Sequence, residues 1–205
     1  MKKVVRLFLL IAAVFSMVTF ASCNSCSKEN ENPSDSITAV VESLDVQALM
    51  VSDYDYIAGQ YDSFFFYEGD VHFDQTLDNP DAVVDAFRTI FQVGDTCIAI
   101  DHRLGGIDDT IKTEGIWVGC ADLNPRVPVD FDSCMTIVAA ERANLHTQFV
   151  TFRRLMAPPF PEHGWWIFGK GIYAIDSYTG EPVMNIYSFN PDENLRLGCP
   201  LGEWP

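Results

Sequence analysis

The first 26 residues decide how much of this chain is free to fold. Lys2, Lys3 and Arg6 precede an uncharged, mostly apolar run from Leu7 to Ala21, which closes on Ala21-Ser22-Cys23. A basic start, a short apolar stretch and a small-residue boundary mark a cleaved secretory signal. The run is shorter than the ~20 residues a helix needs to cross a bilayer. Residues 1–22 are therefore expected to be removed, leaving roughly 180 residues for one domain or two small ones.

Phe20-Ala21-Ser22-Cys23 resembles the lipobox of bacterial lipoproteins. The resemblance implies cleavage before Cys23 and a diacyl lipid on its thiol. That lipid would hold the chain to the outer or cytoplasmic membrane of a bacterial envelope, periplasmic or surface-exposed. Residues 23–36 read as a tether, since Ser27 to Ser36 (SKENENPSDS) is polar and cannot pack. The approach Cys26-Ser27-Lys28-Glu29 resembles surface lipoproteins of the Bacteroidetes type. Cys23 and Cys26 form a CxxC. It follows a signal rather than a strand, so it reads as an anchor and not as a redox pair.

Losing residues 1–22 removes three of 13 basic residues and none of 29 acidic ones, which leaves a formal charge of −19. Such a surface repels nucleic-acid phosphates, so no nucleic-acid partner is expected. Of the chain's 15 Phe, 7 Tyr and 4 Trp, all but Phe8, Phe15 and Phe20 fall in residues 37–205, which therefore have the bulk to form a packed globular core. Export to an oxidising compartment makes Cys97, Cys120, Cys134 and Cys199 candidates for two disulfides of open connectivity. None of the four has the CxxC spacing of a zinc site.

Local patterns give an α+β class. Ser36 can cap a helix carrying Ile37, Val40, Val41 and Leu44. Phe64 to Phe73 suggests strands broken by a turn at Glu68-Gly69-Asp70. Asn79-Pro80-Asp81 looks like a helix start. Val83, Val84, Phe87, Ile90 and Phe91 follow at helical spacing, and Gly94 is the expected stop. Cys97 to Ile100 and Gly115 to Ala121 read as strands. Asp130 or Asp132 caps a helix over Ser133 to Leu145, and Gln148 to Met156 is a strand. Trp165 to Phe168 and Ile172 to Ile175 form a hairpin. A last strand runs from Val183 to Phe189. The expectation is two or three helices on an antiparallel sheet. Asp122, Pro128 and Val129 recur at constant spacing as Asp176, Pro182 and Val183. The recurrence suggests two degenerate helix-plus-sheet repeats, 80–129 and 131–189.

The second of these looks like a PepSY-type domain. The likeness rests on Tyr173-Ala174-Ile175-Asp176-Ser177-Tyr178-Thr179-Gly180-Glu181-Pro182-Val183. It implies a helix followed by three or four antiparallel strands. It also implies a module that binds or inhibits proteases in the cell envelope, with no catalytic residue to assign.

No catalytic residue, cofactor or metal site emerges from the other motifs. His72, His102, His146 and His163 form no HxH or HxxxH pair and read as exposed or satisfied side chains. Asp101 and His102 are neighbours on a strand and should face opposite ways. Asp53-x-Asp55 and Asp108-Asp109 lack the rest of a calcium loop and read as solvated. Trp165 and Trp166 should also part to opposite faces, one entering the core. The other, near Phe160 and His163, is a candidate for stacking on a sugar or a protein partner. Trp165, Trp166 and Phe160 are the candidate binding residues. The expected function is a non-catalytic binding or protease-inhibitory envelope lipoprotein. The alternatives are a glycan-binding accessory lipoprotein and a small hydrolase with an unrecognised acidic site. The anchor has a direct test. Replacing Cys23 with Ala should leave the signal attached and abolish acylation, read as intact mass and by detergent-phase partitioning.

Overall fold

The computed structural model describes residues 42–115, 122–154, 163–169, 171 and 173–184, all within one compact unit. Two helices pack on one eight-stranded antiparallel sheet. The chain runs α1 (Val46–Gln60), β1 (Phe65–Phe73), β2 (Val84–Val93), β3 (Thr96–Arg103), β4 (Asp109–Glu114), α2 (Phe131–Val138), β5 (Phe149–Arg154), β6 (Gly164–Phe168), β7 (Tyr173–Asp176) and β8 (Pro182–Met184). The spatial order is β4-β3-β2-β1-β5-β6-β7-β8. Each helix thus precedes a run of four antiparallel strands, and the two runs meet where β1 pairs with β5.

The α1 helix begins at Val46, nine residues beyond the start expected from a Ser36 cap; of that expected helix, residues 36–41 lie outside the described residues and residues 42–45 are not helical. Its cap is Asp45, whose side chain accepts from the Ala48 amide at 2.9 Å. Val46, Met50, Asp53 and Ile57 form its buried stripe. An acid sits within that stripe, and the apolar pattern conceals the helix for that reason.

In β1 the expected turn at Glu68-Gly69-Asp70 is continuous strand, paired with β2 on one side and β5 on the other. A Cβ on Gly69 would press on the Phe87 ring at 3.3 Å and Met50 Sδ at 3.4 Å. The glycine is there to let α1 settle on the sheet, not to turn the chain. Glu68 and Asp70 face away from the helices, where Arg153 and Thr151 of β5 meet them.

The helix expected at 83–91 is β2, the largest departure from the pattern reading. Asn79-Pro80-Asp81 makes an Asx turn, with Asn79 Oδ1 accepting from the Asp81 amide at 2.9 Å. Phe87 and Phe91 face the helices, while Ala86, Arg88, Ile90 and Gln92 face the other way, and all are buried. A strand buried on both faces loses its period-2 signature, and its apolar residues then match helical spacing by accident. The sub-repeat expected at 80–129 therefore does not open with a helix. Gly94, at φ 55°, turns the β2–β3 hairpin instead of ending a helix.

The α2 helix has the expected Asp130 cap, which accepts from the Ser133 amide at 2.8 Å, but ends at Val138. It begins beside the turn after β7, where the Val129 amide donates to the Ser177 carbonyl at 2.9 Å. Both helices bury into one core with Phe66, Phe87, Phe91, Phe152, Trp166 and Phe168. On the opposite face, Tyr67, Ile90, Cys97 and Ala99 form one small apolar cluster, and Trp165, Ile167 and Ala174 form another. β4 and β8 occupy 109–114 and 182–184. The strand expected at 115–121 and most of that at 183–189 lie outside the described residues.

Gly164 gives the packing a sharp test. A Cβ there would overlap the Phe152 ring, which lies against Trp166 with centroids 4.6 Å apart. Gly164→Ala should destabilise by about 1–3 kcal/mol through overpacking. Gly59→Ala, in open space on α1, should be neutral or stabilise by up to ~1 kcal/mol. Urea unfolding of the two variants distinguishes these outcomes.

Candidate functional site

All four histidines of the chain are paired with aspartates, and the pairs join separate elements. His72 Nδ1 lies 2.6 Å from Asp85 Oδ1, and His146 Nδ1 lies 3.0 Å from Asp78 Oδ2. Two further sets are built more deeply and carry the chemistry worth weighing.

The first lies beneath α1. Asp53, in the buried stripe of that helix, points at the sheet. Thr89 of β2 donates its hydroxyl to Asp53 Oδ2 at 2.6 Å. His102 Nε2 of β3 lies 3.0 and 3.1 Å from the two Asp53 oxygens. The Phe87 ring stacks on the imidazole at 6.2 Å, 14° from parallel. On the far side, His102 Nδ1 has Asp108 Oδ1 at 3.0 Å, within ion-pair distance but without hydrogen-bond geometry. Burial, the largest influence on His102, disfavours the imidazolium, but the hydrogen bonds and charge of Asp53 and then the nearby Asp108 carboxylate outweigh it. The pKa is therefore raised above 6.5. Asp53 is thus not the solvated acid its motif suggested, whereas Asp108 stands exposed in its loop as expected.

The second set surrounds the turn after β7. Asp176 Oδ1 accepts from the Tyr178 amide at 2.7 Å and the Thr179 amide at 3.1 Å, and has His163 Nε2 at 2.9 Å. His163 lies between two rings, Trp165 at 5.7 Å and 8°, and Tyr178 at 4.6 Å. Gly180, at φ 74°, completes the turn.

Trp165 and Trp166 do part to opposite faces, but both are buried, at 3% and 0% exposure. Trp166 donates its indole N–H to the Val129 carbonyl at 2.8 Å and packs on Phe131. Among the described residues of this region, the exposed ring is Tyr178, at 48%. Its place in a turn phrase, beside Thr-Gly, hid it among ordinary turn residues. Phe160 lies outside the described residues, as do Cys23, Cys120 and Cys199. Cys97 is disulfide-bonded, with its partner outside the described residues. Cys134 is a free, buried thiol, which corrects its candidacy for a disulfide. Burial pushes its pKa far above the usual thiol range, so it is unreactive.

Asp101 and His102 diverge as their adjacency requires. Asp101 faces away from the helices and takes a bidentate pair from Arg88, both bonds 2.6 Å. Two strands away from Asp101, on β1, Arg153 of β5 reaches Glu68 at 3.1 Å and Tyr67 Oη at 3.2 Å. Among the described residues, no three His, Cys, Asp or Glu side chains are placed to hold a metal ion.

No family model matches the chain, and neither a curated protein nor a solved structure matches it.

The Arg88–Asp101 pair is almost fully buried, so removing one partner strands a charge. Arg88→Leu alone should cost about 3–5 kcal/mol. The double variant Arg88→Leu/Asp101→Leu should cost clearly less than the two single changes combined, measured by denaturant unfolding.

Proposed function

We propose that this chain is a lipid-anchored lipoprotein of the bacterial cell envelope, acting as a non-catalytic binding or protease-inhibitory module. The observation that carries the reading is how its acids and histidines are used. Asp53 is engaged by Thr89 and His102, and Asp176 by two amides and His163. Asp101 is engaged by Arg88. Groups committed to holding strands, a turn and a helix together serve a rigid scaffold, whereas a general acid or base must keep a proton position open to substrate. The leader, the lipobox resemblance and the polar tether support display at a membrane. The order α2, β5, β6, β7, β8 agrees with what the PepSY-type likeness implies, a helix followed by antiparallel strands.

A glycan-binding reading is favoured by one observation. Tyr178 is half-exposed and backed by the His163 ring, as a sugar-stacking platform needs.

The test is to present the full chain, solubilised in detergent, to purified envelope proteases and to a glycan array. Stoichiometric inhibition or a stable protease complex is expected. Binding to glycans alone, lost in Tyr178→Ala, would transfer the assignment to the second reading. Turnover of a substrate, lost on replacing one Asp or Glu, would overturn both.

A further inference from the structure

The Asp53–His102–Asp108 set spans α1, β3 and the loop after β3. Asp53 belongs to α1. Asp108 belongs to the loop Leu104–Asp108 between β3 and β4. That loop is held at its base by Leu104 N–H to the Asp85 carbonyl at 2.8 Å and Gly106 N–H to the Arg103 carbonyl at 2.9 Å. At its tip stands Ile107, 91% exposed. The two carboxylates are unlike. Asp53 is buried and accepts Thr89 as well, while the Asp108 side chain is 66% exposed.

We propose that His102 is a proton-controlled latch: as the imidazolium it fastens the β3–β4 loop to the body of the fold, and as the neutral ring it releases Asp108 while keeping Asp53.

The asymmetry follows from the inventory of an imidazole. The cation has two N–H groups and can face a carboxylate with each. The neutral ring has one N–H, so one carboxylate must meet a lone pair. Leaving buried Asp53 without a donor costs far more than returning exposed Asp108 to water. The remaining proton therefore stays on Nε2, and the loop end of the latch opens.

Few other charges bear on the ring. From α1 it faces Asp53, and from the loop Asp108. β2 presents the neutral Phe87 ring and, through Asp53, the Thr89 hydroxyl. Arg88 and Asp101 pair with each other on the opposite face of the sheet, and Lys112 of β4 reaches Tyr61 Oη at 3.2 Å. Because the folded-state pKa is raised above 6.5, the stability the latch contributes is fully present below 6.5 and is lost as the latch opens with pH rising through the folded value.

Nitrogen NMR of the His102 ring, with amide exchange of residues 104–108 corrected for intrinsic rates, tests this on the full chain. On raising pH, His102 should titrate above 6.5 and become the Nε2–H tautomer. Protection of the loop amides should fall about two- to fivefold in step, the size expected of a partly exposed ion pair. Asp108→Asn should remove that pH-linked change and leave protection in α1 unaltered. This variant alters an exposed side chain, so the test does not depend on a His102 variant folding. Loop protection that ignores the His102 titration, a pH-linked change that persists in Asp108→Asn, or an Nδ1–H tautomer at high pH would each overturn the latch.

Discussion

The antiparallel pairing of β1 with β5 holds the rest of the structure together. Each strand ends a run of four, β1–β4 on one side and β5–β8 on the other, and the two become one sheet only through this pairing. Its register places Glu68 opposite Arg153 and Asp70 opposite Thr151. These pairs bond across the strands on the face away from the helices. A slip of one residue would turn both acids into the helix core and Val71 out of it, so polar pairing and apolar burial enforce the same register. Gly69 lies in the same segment and admits Met50 and Phe87. The seating of α1 therefore depends on the strand that joins the two halves.

Charge is handled in a related way. Acids outnumber basic residues by 29 to 13, and such an imbalance strains a compact fold. The chain sets its scarce arginines, and its histidines, against particular acids. Arg88 holds Asp101, Arg153 holds Glu68, and each histidine holds an aspartate. Those pairs fasten strands, a helix, a loop and a turn. Much of the cohesion between elements thus passes through ionisable groups, and proton concentration can alter a loop without altering the sheet.

Legibility along the chain followed the local strength of each signal. The Asp130 cap, the β6–β7 hairpin and the β3 strand were readable because caps, glycine turns and β-branched runs act over a few residues. β1 and β2 were misread for a shared reason. Both are buried on two faces, so Glu68, Asp70, Arg88 and Gln92 appear as turn or helix-surface residues until partners from distant strands surround them. α1 was missed because Asp53 interrupts its apolar stripe. Asp53 belongs there only because Thr89 and His102, far along the chain, supply its donors. The same distance hid the Asp53–His102–Asp108 set. The spacing within the sequence brings no two of its members together in a recognisable motif.

By itself, the sequence determined the α+β class, the acidic charge, several turns and caps, and the divergence of Asp101 from His102 and of Trp165 from Trp166. These follow from composition and from the two-residue repeat of a strand, which needs no knowledge of the neighbours. Tertiary structure decided which strands lie at the sheet centre and which acids are buried. It also decided that both tryptophans belong to packed layers, and that Tyr178 keeps an exposed ring. Burial is set by what arrives from elsewhere in the chain, so a residue's pattern can assign its face but not what covers it.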